Sequence, residues 1–146
     1  MKQLKSMLLI ALIGFSAIYA HAEEKHHSHE HRTAKLTLNN GGKWLADTST
    51  KESAKKIQAA LELFSREKQG RSAEEYNMLG QNLRTLLGEM IQGCKMQGGA
   101  HEQLHVWITN ISPAIDALAK AKTASSGREA HSHLVSIVAE FEKYFE

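Results

Sequence analysis

Apolar residues recur three and four positions apart in four separate runs, and this periodicity restricts the fold more than any other feature. The first run is Ala54, Ile57, Leu61 and Phe64. The second is Tyr76, Leu79, Leu83, Leu86 and Met90. The third is Leu104, Ile108, Ile111, Ile115 and Leu118, and the fourth Leu134, Val138, Phe141 and Phe145. Such spacing puts one apolar stripe on each of four helices. Strands are not expected, because their apolar positions alternate with period two. The single proline, Pro113, agrees with a helical chain. Its missing N–H predicts a kink near Ile108 to Thr109, or a separate helix starting at Ser112-Pro113. Four amphipathic helices joined by short links predict an all-α, antiparallel up-down-up-down four-helix bundle with a kinked third helix.

Three serine–glutamate pairs look like capping boxes ahead of these runs: Ser49 with Glu52, Ser72 with Glu75, and Ser126 with Glu129. In such a box the serine oxygen and the glutamate carboxylate reciprocally satisfy backbone amides that the first helical turn leaves unpaired. Gly98-Gly99 is expected to end the second helix, with Ala100-His101-Glu102 beginning the third. Leu36 and Leu38 alternate in a short extended piece, and Asn39-Asn40-Gly41-Gly42 signals a turn.

The first 22 residues differ in kind. Lys2 and Lys5 form a positive head, Met7 to Ala20 an apolar run, and Ala20-His21-Ala22 a small-residue cleavage pattern. This reads as a secretory signal peptide. The apolar run has 14 residues, whereas a membrane span needs about 20. The expected product starts near Glu23, is periplasmic or secreted, and keeps no membrane anchor. Its domains are then a tail over 23–35 and a bundle over 36–146. Of 18 basic side chains, Lys2 and Lys5 leave with the leader, so 16 face 16 acidic ones. A near-neutral chain without a basic patch lacks the electrostatic footprint of a nucleic-acid binder.

Residues 23–32 contain no large apolar side chain and should be disordered on their own. They carry His26, His27, His29 and His31, four imidazoles within six residues. Histidine-rich tracts bind zinc, copper or nickel through neutral imidazole.

Cys94 is the only cysteine. It excludes an intrachain disulfide and covalent haem of the c type, which needs two cysteines and a following histidine. The expected topology gathers Trp44, Met90, Cys94, Met96, His101, His105, Tyr144 and Phe145 at one pole. Phe64, Tyr76, His131 and His133 gather at the other. His101 and His105 are four apart and share a helix face. With Cys94 and Met96 they make a thiolate, thioether and imidazole set suited to copper or zinc. Three glycines interrupt the second helix: Gly80, Gly88 and Gly93. Gly93 is expected to make room for the indole of Trp44 or Trp107. A b-type haem would need axial ligands such as His131 with Met78 or Met90, and nothing in the pattern brings such a pair to one depth. No nucleophile elbow or phosphate loop points to an enzyme.

Gly42-Lys43-Trp44, together with Cys94 and the stretch Ala100-His101-Glu102-Gln103-Leu104-His105-Val106-Trp107, resembles small exported helical-bundle proteins of uncharacterised function from Gram-negative bacteria. The overall plan is similar to the periplasmic four-helix cytochromes in architecture alone. The first resemblance implies an exported bundle and supplies no activity. The functional expectation is therefore an exported metal-binding protein acting in copper or zinc buffering, delivery or resistance. The alternative is a metal-free interaction module that offers an aromatic patch around Trp44 to a periplasmic protein partner.

Overall fold

The structure is a computed structural model, and it describes residues 35–67 and 70–146. The leader over 1–22 and the histidines at 26, 27, 29 and 31 lie outside the described residues. Among the described residues four helices follow in order: α1 Thr48–Glu67, α2 Ala73–Gly93, α3 Gly98–Ala119 and α4 Ala124–Tyr144. No strand occurs among the described residues, only two isolated bridges. None of the described helices is long and apolar enough to cross a membrane.

Contacts between the ends of helices establish the antiparallel order. Ser49 at the start of α1 meets Gly93 at the end of α2, and Gly80 near the start of α2 meets Ala119 at the end of α3. Trp107 of α3 donates its indole N–H to the Ile137 carbonyl of α4 at 3.1 Å. Ser65 at the end of α1 lies 3.4 Å from His131 near the start of α4. Helices α2 and α4, diagonal and running in the same direction, also touch, through Tyr76 and Gly127. Surface ion pairs join neighbouring helices at Lys56–Glu89 (3.7 Å) and Arg84–Asp116. Exposed as they are, these pairs contribute at most about 1 kcal/mol each.

The stripes form the core. Ile57, Leu83, Met90, Leu104, Trp107, Ile111, Ile115, Leu118 and Leu134 are completely or almost completely buried. In α2 the inward residue is Leu87, while Leu86 is half-buried. In α3 Trp107 takes the deepest place, and Ile108 beside it is half-buried. Helix α3 runs unbroken through Pro113, so no separate helix starts at Ser112. Pro113 has no N–H to give the Thr109 carbonyl.

Of the three expected capping boxes, Ser72 with Glu75 forms: the Ser72 oxygen accepts from the Glu75 amide at 3.3 Å and Glu75 accepts from the Ser72 amide at 2.8 Å. The other two starts use different residues. Thr123, with Ser126, caps α4 in a reciprocal box, so Ser126 is a partner in the cap and Glu129 has no part in it. At α1 the carboxylate of Asp47 accepts the Thr50 amide at 2.7 Å, ahead of the expected Ser49. Helix α3 starts at Gly98, two residues earlier than expected, with Gln97 at its N-cap.

The arm before α1 follows the expected turn. Asn39 and Gly42 exchange two backbone hydrogen bonds of 2.9 Å. Asn40 (φ 50°) and Gly41 (φ 91°) take the two left-handed positions between them, which is where asparagine and glycine are favoured in a tight hairpin turn. Past the turn, Trp44 runs alongside the chain terminus. Its amide donates to the Tyr144 carbonyl at 2.7 Å, and its carbonyl accepts from Glu146 at 2.9 Å.

Candidate metal centre

The pole where α1 begins and α2 meets α3 is assembled by three local devices. First, Cys94 ends α2 in an extended conformation. Second, Asp47 bridges the elements: one carboxylate oxygen caps α1 and the other accepts the Lys95 amide at 2.5 Å. Partial burial pushes the Asp47 carboxyl upward, but the backbone N–H bonds from Thr50 and Lys95 prevail and hold it below its ordinary value. The residue next to Cys94 is thereby fastened to the start of α1. Third, α3 begins at two glycines. Gly98 has φ +60°, and a Cβ on Gly99 would lie 2.7 Å from the Trp44 indole. Trp44 therefore packs on Gly99. The small residue that makes room for an indole is Gly99, whereas the space at Gly93 is taken by Ser49. Trp107 lies elsewhere, in the core against Phe141 with ring centroids 5.3 Å apart.

Within this frame the thiol and the two imidazoles meet. Cys94 Sγ lies 3.7 Å from His101 Nδ1, and His101 Nε2 lies 2.9 Å from His105 Nε2. The two rings are edge-to-face with centroids 4.5 Å apart. Cys94 and His101 are half-buried and His105 is exposed. Met96 is half-buried against the core, as are Trp44 and Tyr144.

The three groups form a chain rather than a converging set. His101 uses one ring nitrogen toward the thiol and the other toward His105, and the directions of these two nitrogens diverge. Among the described residues no three His, Cys, Asp or Glu side chains are arranged to hold one metal ion. The His101–His105 edge brings two ring nitrogens together. Ligands at metal–nitrogen distances near 2.05 Å are about 2.9 Å apart at a 90° angle and about 3.3 Å apart in a tetrahedron. The observed 2.9 Å separation is also hydrogen-bond distance, at which one Nε2 donates to the other according to the tautomers.

The opposite pole gathers Phe64, Tyr76 and His131. Phe64 lies 5.3 Å from Tyr76 and 5.5 Å from His131 between ring centroids. The Arg71 guanidinium sits 3.7 Å over the Phe64 ring. Burial pulls the His131 imidazole below its ordinary value, and Arg71 adds to this against a backbone hydrogen bond at Leu61. His133 is exposed. Of the two methionines weighed as haem ligands, Met78 faces outward at 63% exposure and Met90 is fully buried.

Sequence reasoning passed over Asp47 and Gln103, both of which position the pole. Asp47 carried a readable signal, a capping residue three before Thr50. Gln103 carried none: its side chain accepts the Thr37 amide at 2.8 Å, a contact fixed by tertiary structure. No protein-family model, curated protein or solved structure matches this chain.

Proposed function

We propose that this is an exported metal-binding protein that chelates copper or zinc at the Cys94–His101–His105 pole, for buffering, delivery or resistance. The observation that carries this reading is the 2.9 Å approach of His101 Nε2 to His105 Nε2, with the Cys94 thiol against the opposite edge of His101. Two imidazoles one helical turn apart offer a preformed bidentate edge. A metal on the two Nε2 atoms would leave the proton of His101 on Nδ1, whose N–H would then donate a hydrogen bond to Cys94 Sγ, 3.7 Å away. Outer partners of this kind orient a ligating imidazole, and their loss typically costs about 10–100-fold in affinity. Cys94 is thus read as the orienting partner, and His101 and His105 as the ligands. The tail histidines His26, His27, His29 and His31 are further donors of the same type. Export rests on the leader pattern at residues 1–22.

The test is a competitive titration of the chain from Glu23 to Glu146 with Cu(I), Cu(II) and Zn(II), beside Cys94→Ala, His101→Ala and a form lacking residues 23–32. His101→Ala should weaken binding by at least 10-fold for Zn(II) or Cu(II), with Cys94→Ala intermediate. Equal and weak binding by every form would overturn the proposal.

A further inference from the structure

The pole opposite Cys94 and His101 holds a cleft of about 430 Å³, within the roughly 300–1,000 Å³ usual for small-molecule sites. Phe64 and Ser65 line it from the end of α1, Arg71 from the link before α2, Tyr76 from the start of α2, and Arg128 and His131 from the early part of α4. Among the described residues no carboxylate lines it. Guanidinium groups only donate hydrogen bonds and keep their charge at every ordinary pH. The cleft therefore suits an electron-rich, anionic guest, the reverse of what a metal site needs.

Arg71 is set in place before any guest arrives. Its side chain is only 9% exposed. Its Nη2 donates to the Phe64 carbonyl at 2.6 Å, its Nη1 reaches Glu75 at 3.5 Å, and the guanidinium lies 3.7 Å over the Phe64 ring. A side chain held in this way loses little rotamer freedom on binding. Out of water, its charge also makes a stronger hydrogen bond to an anion than an exposed cation would. The neighbouring imidazole registers that charge: burial, and then Arg71, depress His131 against a backbone hydrogen bond at Leu61. Its Nε2 stands 3.4 Å from Ser65 Oγ, which itself donates to the Leu61 carbonyl at 2.8 Å. Arg128 is exposed and brings a second guanidinium on a long stem from α4. The rings of Phe64, Tyr76 and His131 lie 5.3 to 6.3 Å apart between centroids. They give the cleft flat walls of the kind against which another ring packs.

We propose that this cleft binds a small aromatic carboxylate, with the carboxylate on Arg71 and Arg128 and the ring against Phe64 and Tyr76. The planar guanidinium fork matches the two oxygens of a carboxylate. Glu75 beside Arg71 offsets part of the positive charge, which favours a monoanion over a phosphate dianion. The cleft shares no residue with the Cys94–His101–His105 pole, so this site stands independently of the metal reading.

The experiment titrates the chain from Glu23 to Glu146 with benzoate, benzamide, acetate and inorganic phosphate. Nuclear magnetic resonance follows the His131 ring and the Nε–H signals of Arg71 and Arg128. Benzoate should give saturable shifts at all three residues. Acetate and phosphate should bind more weakly, and benzamide, of the same shape but neutral, should give no saturable shift. Arg71→Lys keeps the charge and removes the fork, and Arg128→Gln removes an exposed charge. Each should weaken benzoate by at least about 10-fold, the equivalent of one charge-assisted hydrogen bond. Arg128→Gln should do so with its thermal unfolding unchanged, as expected for a surface substitution, so a loss of binding cannot be a loss of fold. No saturable shift up to about 10 mM benzoate, well past the range of a millimolar ligand, would overturn the site. So would benzamide binding as tightly as benzoate, or a benzoate affinity untouched by both arginine variants. Phosphate or acetate binding more tightly than benzoate would overturn the choice of an aromatic carboxylate.

Discussion

Trp107→Ala is expected to be the most damaging single substitution in the bundle, lowering stability by about 3–5 kcal/mol, the range for emptying a buried aromatic site. Trp107 is fully buried. It packs edge-to-face on Phe141, and its N–H is satisfied by the Ile137 carbonyl at 3.1 Å. Alanine removes the dispersion contacts and leaves a cavity between α3 and α4 that rigid helices cannot fully close. For a bundle of this size the melting temperature should fall by roughly 15–20 °C. Trp107→Phe keeps most of the aromatic contact and should cost about 1–2 kcal/mol. Urea denaturation followed by circular dichroism measures both. A Trp107→Ala loss below about 1 kcal/mol would show that this residue is not the keystone of the core.

Two glycine substitutions in α2 should move stability in opposite directions. Both Gly80→Ala and Gly88→Ala raise helix propensity by about 1 kcal/mol. At Gly88 a Cβ meets nothing within 4 Å, so the propensity gain should appear as about 0.5–1 kcal/mol of added stability. At Gly80 the same Cβ would run into Ala119, whose Cα and Cβ lie at 2.6 and 2.8 Å. The obstacle is backbone, so α2 and α3 must separate, and overpacking costs typically 1–3 kcal/mol. The clash outweighs the propensity, and Gly80→Ala should destabilise by about 1–2 kcal/mol. Stabilisation by both would mean that α2 and α3 are not in close contact at this crossing.

What could be read from the sequence follows from how local each signal is. The four stripes, the Asn39–Gly42 turn and the Ser72–Glu75 box depend on residues a few positions apart, and all appear in the structure. Antiparallel wrapping then sufficed to bring Cys94, His101 and His105 to one pole. The failures are tertiary. Ser49 and Asp47 are both competent caps, and Asp47 serves because its second oxygen also binds Lys95, 48 positions away. Trp44 chose Gly99 over Gly93 because the arm runs against α3, which no local pattern encodes. Leu86 and Leu87 both border the α2 stripe, and only packing against neighbouring helices selects Leu87. The divergent use of the two His101 nitrogens was likewise invisible, since spacing places rings on a face without fixing which edge each partner meets.

The most direct measurement of metal binding by the folded pole is the urea midpoint of the chain from Glu23 to Glu146 with and without Zn(II). The His101–His105 edge exists only when α3 is formed, so an ion held there binds the folded state in preference to the unfolded one. With free Zn(II) at 100 times its dissociation constant, stability should rise by about 2.7 kcal/mol, and His101→Asn should abolish the rise. Zinc that binds with the same affinity yet leaves the midpoint unmoved would contradict the account, because the ion would then sit on chain that holds it equally well when the bundle is unfolded.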